Sequence, residues 1–140
     1  MRRLFVLLMT IILLTACGSS GKDTQKIEVE EEIELNNVTL EVQSIHIKDN
    51  EAKVYIAWKH WTSYDKAHLD LLLTTSIKQD GEELEIIKGE DKYLKQVDKG
   101  VGGSVNATYK LIDNETPIEI KFIETTDEAK EESITVDIKE

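Results

Sequence analysis

Apolar and polar residues alternate along most of the chain that follows Lys26. In the first such segment, Ile27, Val29, Ile33 and Leu35 all occupy odd positions, and glutamates fill the even positions between them. An amphipathic helix would need apolar residues three and four positions apart, and this segment lacks that spacing. The pattern therefore predicts a β-strand. Its glutamates are interpreted as the solvated side of the strand rather than as a metal site.

The same period of two residues recurs to the end of the chain. A one-residue change of phase at Ser44 predicts a β-bulge, and Asn-Asn, Asp-Asn and Asp-Gly pairs between the segments predict turns. About eight short strands with no convincing helix predict an all-β sandwich or barrel. The residues predicted to face inward are Val38, Leu40, Val42, Ile45 and Ile47; Val54, Ile56 and Trp58; Leu69, Leu71, Leu73 and Ile77; Leu84 and Ile86; Val105, Ala107, Tyr109 and Leu111; Ile118, Ile120 and Phe122; and Ile134, Val136 and Ile138.

The N-terminal segment has the pattern of an export signal. Arg2 and Arg3 precede an apolar run of about 11 residues, which has the length of a signal-peptide core and is shorter than the about 20 residues of a membrane-spanning helix. The tetrapeptide Leu-Thr-Ala-Cys ending at Cys17 then resembles the lipobox of bacterial lipoproteins. In that family the cysteine thiol carries diacylglycerol and the peptide is cut just before it. The alternative is an ordinary secretory signal with an incidental cysteine.

The resemblance implies a domain organisation. Residues 1–16 would be a lipoprotein signal peptide, Cys17 would be the lipid-bearing residue, and residues 17–26 would form a flexible tether. Two acyl chains anchor a protein stably, so residues 27–140 are expected on the extracytoplasmic face of the cell membrane.

A second resemblance covers most of residues 27–139. Residues 32–45 resemble the opening strands of uncharacterised immunoglobulin-like domains on Gram-positive lipoproteins, and residues 102–111 and 117–120 resemble the closing strands. Residues 58–94 do not share this similarity. The resemblance implies an immunoglobulin-like antiparallel sandwich of about seven to eight strands. Because that family has no agreed activity, it implies no functional residue.

The composition restricts the classes of function. The 140 residues fit one domain, and 17 basic against 28 acidic residues give a net charge of −11, which argues against nucleic-acid binding. Without Arg2 and Arg3, the count becomes 15 against 28, a net charge of −13. Such acidity either keeps the domain soluble and away from an anionic envelope or attracts a cationic partner. A single cysteine excludes an internal disulfide framework.

The sequence contains no clear catalytic or metal-binding motif. No Gly-x-Ser-x-Gly motif is present, and His46, His60 and His68 are not spaced as a local zinc pair. We therefore predict no catalytic residue, no cofactor and no metal.

The cluster at residues 58–65 is the best candidate binding region. Trp58 keeps the phase of Val54 and Ile56, so it is predicted to lie in the core. His60, Trp61 and Tyr64 are predicted to form an exposed aromatic patch, because aromatic residues suit binding surfaces. The alternative is that they pack beneath the loop. The long irregular stretch at residues 88–104 is the next candidate, since long loops often carry function.

These observations lead to three functional hypotheses. The first is a monomeric, non-catalytic surface lipoprotein that binds a protein, a peptide or an envelope component. The second is a protective or immunity-type lipoprotein that intercepts a cationic toxin or bacteriocin. The third, supported least by the sequence, is an envelope hydrolase.

Overall fold

The structure is a computed structural model that describes residues 24–125 and 128–139. The predicted signal peptide, Cys17 and most of the predicted tether lie outside the described residues. The elements, in chain order, are β1 (Gln25–Glu34), β2 (Val38–Lys48), β3 (Glu51–His60), β4 (Lys66–Ala67), α1 (Leu69–Leu72), β5 (Leu73–Gln79), β6 (Glu82–Glu83), β7 (Ile86–Lys88), a 3₁₀ helix (Glu90–Leu94), β8 (Val97–Asp98), β9 (Gly103–Lys110), β10 (Ile118–Glu124) and β11 (Glu131–Val136).

Two antiparallel sheets enclose the core. One has the strand order β1-β2-β3-β9-β7 and the other has the order β11-β10-β5-β6, while β4 and β8 form a separate two-stranded ribbon. The order of an immunoglobulin-like sandwich, four strands facing three, is reproduced here. The four strands are β2-β3-β9-β7 and the three are β11-β10-β5. β1 adds an edge strand to the first sheet and β6 adds one to the second. The predicted all-β fold is confirmed, with nine strands in the two sheets among the described residues.

The alternating residues of both sheets form one hydrophobic core. Ile118, Ile120 and Phe122 of β10 are fully buried, and the facing sheet contributes Val42 and Ile56, also fully or almost fully buried. Burying such side chains stabilises the fold by roughly 1.5–3 kcal/mol each. The predicted phase of β2, β3, β9 and β10 is therefore confirmed.

The turns and the bulge follow the local chemistry of the sequence. Asp49 and Asn50 have φ angles of 51° and 62° and connect β2 to β3 in a two-residue hairpin. The β2–β3 register shifts between Val42 and Ser44, which confirms the predicted bulge. A second irregularity lies in β1, where the register shifts between Glu28 and Glu31 and Glu30 has a φ of 51°.

Two segments differ from the predicted strands. Leu69 and Leu72 are buried in α1 while Leu71 is exposed, so the first leucines form one helical turn instead of the predicted strand continuing from residue 69. His68 caps this turn, because its Nδ1 accepts a hydrogen bond from the Leu71 amide at 3.1 Å. Leu84 is buried but lies between β6 and β7 rather than within one short strand.

The strand directions define two ends of the sandwich. β1 starts at Gln25 opposite Ile47, beside the β2–β3 turn, and this end is called the proximal end. β1 finishes at Glu34 opposite Thr39, beside the turn at Asn36, and this end is called the distal end. Ten residues of strand separate the ends by roughly 30 Å.

Candidate functional site

The loop that follows β3, residues 61–65, lies at the distal end and is held on two sides. The Trp61 amide donates to the Asn37 carbonyl at 2.8 Å, which extends the β2–β3 pairing past the end of β3. On the other side, the Gly100 amide donates to the His60 carbonyl at 3.0 Å, and the Lys99 amide donates to the Asp65 carbonyl at 2.9 Å. The backbone of the loop is therefore fixed by Asn37, just before β2, and by residues 99–100.

His60 is buried, which corrects its predicted place in the exposed patch. Its exposed fraction is 0%, and its ring stacks on Trp58 with centroids 5.9 Å apart. Nε2 lies 2.9 Å from the Val97 carbonyl oxygen and Nδ1 lies 2.9 Å from Thr62 Oγ1. Because a carbonyl only accepts, Nε2 carries the hydrogen. β3 continues through His60, so this residue keeps the inward phase of Trp58.

Trp61 and Tyr64 are exposed at the distal end, with exposed fractions of 55% and 53%. The Lys59 ammonium lies 5.8 Å from the Trp61 ring centroid, within the range of a cation–π contact. Gly100 packs so closely on the indole that an added Cβ would lie 2.9 Å from Cζ3. The Trp61 ring is thus held in place although much of its surface remains open to solvent.

Two surface grooves flank these aromatic side chains. The first, of about 390 Å³, is lined by Trp61, Lys59 and Glu41 on the outer face of the five-stranded sheet. The second, of about 450 Å³, is lined by Tyr64, with Leu71 and Glu124 among its other residues. The distal end therefore presents aromatic and apolar surface beside polar and acidic groups.

Glu124, which sequence reasoning missed, is a buried carboxylate at this end. It accepts hydrogen bonds from Asn36 Nδ2 at 2.8 Å, from the Asn37 amide at 3.3 Å and from the Lys130 amide at 3.3 Å. These bonds fix the β1–β2 turn against the second sheet. No local signal indicates this role, because Asn36 and Asn37 lie almost 90 residues from Glu124 along the chain.

A smaller cavity, of about 230 Å³, opens at the side of the sandwich near β6 and β7. Tyr93 and Tyr109 line it, and their hydroxyl oxygens lie 2.5 Å apart. Burial is the main cause that raises the pKa of Tyr109 to about 12, and burial also raises the pKa of Tyr93. Both tyrosines are therefore neutral hydroxyl groups near neutral pH. We call this space the tyrosine cavity.

The described residues contain neither a cluster that could bind a metal ion nor a helix that could span a membrane. Within residues 24–125 and 128–139, no three or more His, Cys, Asp or Glu side chains are grouped so that they could hold a metal ion. In the same part of the chain, no helix is long and apolar enough to cross a membrane.

Comparison with known proteins supports the fold alone. No protein-family model matches the chain, and no curated protein matches it. The structure is similar to the crystal structure of a conserved hypothetical protein from Bacillus anthracis, with a TM-score of 0.58. The two sequences are 12% identical, and the match covers 86% of this chain and 100% of the other.

Proposed function

We propose that this protein is a lipid-anchored, non-catalytic surface protein whose sandwich binds a protein, peptide or envelope component at its distal end. The observation that carries the proposal is the exposure of Trp61 and Tyr64 at that end, beside two grooves. Solvent-exposed aromatic rings that are already held by their neighbours lose little conformational freedom on binding. Such rings are typical anchors of protein interfaces.

The position of Cys17 supports the same end as the binding surface. Cys17 precedes Gln25 by eight residues, a segment that spans at most about 29 Å when fully extended. Since β1 begins at the proximal end, a lipid on Cys17 would place that end toward the membrane. The distal end, roughly 30 Å farther along the strands, would then face outward, where a partner has access.

The binding surface is tested by two matched alanine variants in intact cells. Trp61→Ala is expected to weaken partner binding by about 2 kcal/mol if Trp61 is an anchor. Crosslinking followed by pull-down measures this loss as reduced partner capture. Ile112→Ala removes an equally exposed apolar side chain (52%) that follows β9 at the proximal end, and it should leave capture unchanged. In both variants the free energy of unfolding should stay within about 0.5 kcal/mol of the parent value. Equal capture by the parent and Trp61→Ala would place the partner elsewhere.

The lipid anchor has a separate test. Cys17→Ser removes the thiol to which diacylglycerol would be attached, so the chain is expected to leave the membrane fraction and to lack the lipid mass. Intact-mass measurement after membrane fractionation checks both outcomes. A Ser variant that still carries the diacylglycerol mass would contradict the lipoprotein assignment.

A second candidate function is interception of a cationic toxin or bacteriocin. The net charge favours it, at −11 for the whole chain and −13 without Arg2 and Arg3. Electrostatic attraction would make capture fall steeply with added salt, because the screening length is only about 8 Å at 0.15 M ionic strength. Capture that is insensitive to salt would instead favour short-range contacts at Trp61 and Tyr64.

A further inference from the structure

A further groove at the distal end is lined by the start of β9 and by the segment that precedes it. Its volume is about 440 Å³, within the about 300–1,000 Å³ of typical ligand pockets. Residues 102–104 and residues 95–98 line it. It shares Trp58 and two glycines with the groove beside Trp61, so the two grooves form one continuous surface. We call this space the Gly102 groove.

The indole N–H of Trp58 has no partner at this groove. Only 3% of Trp58 is exposed, yet the residue lines the groove. Among the described residues Nε1 accepts no contact from a hydrogen-bond acceptor, and the nitrogen is not fully shielded from solvent. An added Cβ on Gly103 would lie 3.1 Å from Nε1, so the glycine leaves the N–H uncovered. Because an indole N–H only donates, it points to a ligand that supplies an acceptor oxygen.

Strand β9 has unpaired backbone groups at the same place. It pairs with β3 along its whole length, whereas on the other side β7 pairs only with Thr108 and Tyr109. The Lys110 amide donates to the Glu85 carbonyl beside β7, so the backbone N–H and C=O of Lys110 point away from β3. Every second residue of an antiparallel strand points the same way, which includes Ser104.

The open part of this edge is short. Ser104 is exposed and lines the groove, and among the described residues its N–H and C=O have no backbone partner on the side away from β3. Asn106, the next residue with this orientation, is covered, because an added Cβ on Gly89 would lie 2.6 Å from the Asn106 carbonyl oxygen. The open edge is thus confined to the groove. Unpaired groups on a strand edge can pair with another extended chain.

The other lining residues suit an uncharged, extended ligand. Val97 and Val101 contribute aliphatic surface, and Val101 is 53% exposed. Lys95 and Asp98 carry opposite charges, so the groove favours neither a cation nor an anion. An added Cβ on Gly102 would have no neighbour within 4 Å, so space is open there. Glycine in a strand often marks a place where another backbone approaches closely.

We propose that the Gly102 groove binds an extended polypeptide segment of the partner, which pairs as a short strand with Ser104. A backbone carbonyl of this segment accepts the hydrogen bond of the Trp58 indole, and a small aliphatic side chain packs on Val97 and Val101. The site rests on the function proposed above, because it specifies the partner of the distal end as a polypeptide. It does not require Trp61 to be an anchor of binding.

The two tryptophans of the chain give two indole N–H signals in NMR spectra, which report the two grooves separately. Trp61→Phe removes one signal and so assigns both. The probe is N-acetyl-Ala-Val-Ala N-methylamide, titrated into the full-length chain in a neutral detergent. We expect saturable shifts of the Trp58 indole signal and of the Ser104 amide signal. The absence of a saturable shift in either signal would overturn the proposal.

Two control probes test the class of ligand. The same tripeptide with every amide nitrogen methylated keeps the side chains and carbonyls but cannot donate to the Ser104 carbonyl. It should bind about fivefold more weakly, the factor that one net hydrogen bond contributes. A trisaccharide of N-acetylglucosamine should leave the Trp58 signal unchanged. Equal affinity of the methylated peptide, or a trisaccharide that shifts the Trp58 signal with the affinity of the tripeptide, would contradict strand pairing.

A matched pair of variants tests the edge of β9. Ser104→Pro removes the N–H that points away from β3, at an edge position where proline is tolerated, and should weaken tripeptide binding about fivefold. Ser104→Ala keeps the backbone N–H and should stay within about twofold of the parent. If Ser104→Pro does not fold, hydrogen exchange of the Ser104 amide in the parent decides, and it should slow several-fold at saturating tripeptide. Unchanged affinity in folded Ser104→Pro, or unchanged exchange in the parent, would overturn the pairing.

The capture test with Trp61→Ala distinguishes the two proposals. Loss of capture in Trp61→Ala, with no tripeptide shift at Trp58, would support the aromatic anchor and overturn the Gly102 groove. A tripeptide shift at Trp58, with unchanged capture in Trp61→Ala, would support the groove and contradict the aromatic anchor.

Discussion

Replacing His60 by alanine is expected to destabilise the domain by at least about 3 kcal/mol. The imidazole is fully buried and bonded at both ring nitrogens, to the Val97 carbonyl and to Thr62 Oγ1. Removing a large buried side chain typically costs about 2–5 kcal/mol, and an orphaned buried acceptor adds about 1–3 kcal/mol. Because domains have only about 5–15 kcal/mol of stability, this variant would approach the folding threshold. His60→Gln retains a side-chain donor and should lose less.

Urea titration followed by tryptophan fluorescence measures this effect. With a slope of about 1–3 kcal/mol per molar urea, the midpoint should fall by at least about 1 M. His46→Ala is the matched control, because His46 is only half-buried and contacts Tyr55 and Ser44 on the sheet. It should cost about 1 kcal/mol or less. A midpoint for His60→Ala that equals the His46→Ala midpoint would refute the structural role assigned to the His60 ring.

Two further predictions concern close packing and alkaline pH. Gly103→Ala would place Cβ 2.6 Å from Val97 Cγ2 and is expected to lower the free energy of unfolding by about 1–3 kcal/mol. Gly102→Ala is the control, because its Cβ would have no neighbour within 4 Å and the free energy of unfolding should change little. The raised folded-state pKa values of Tyr93 and Tyr109 mean that the unfolded chain loses these protons first, near the ordinary value of 10.0. The contribution of these two tyrosines to the free energy of unfolding should therefore be fully present below pH 10 and should fall as the pH rises toward about 12. Urea midpoints measured across this range would show less decline in Tyr109→Phe if the tyrosine pair is responsible.

The strands with strict alternation could be predicted because a period of two assigns each residue to one face. This rule assigns Val54, Ile56 and Trp58 to the inner face, and all three are buried. The same alternation extends to His60, although its polar ring suggests an exposed position. Continuing the alternation by one step beyond Trp58 places His60 in the core.

Other features depend on contacts that a local pattern does not contain. Leu69, Leu71, Leu72 and Leu73 satisfy a period of two and also an i, i+3 spacing, so the sequence is compatible with either a strand or a helical turn. In the folded protein the segment forms a helical turn, because this places both Leu69 and Leu72 in the core. The tyrosine cavity arises from residues as distant as Asp70 and Tyr109, which only the folded topology brings together.

The edge formed by β1 has a consequence for behaviour at high concentration. β1 is ten residues long and lies at the edge of a five-stranded sheet, where unpaired backbone groups can recruit a strand from another copy and start aggregation. Five glutamates between Glu28 and Glu34 give two such edges the same charge, so they repel each other. The register shift at Glu30 also interrupts the regular backbone that a second strand would need. Copies at high concentration would thus remain separate domains rather than join into a continuous sheet.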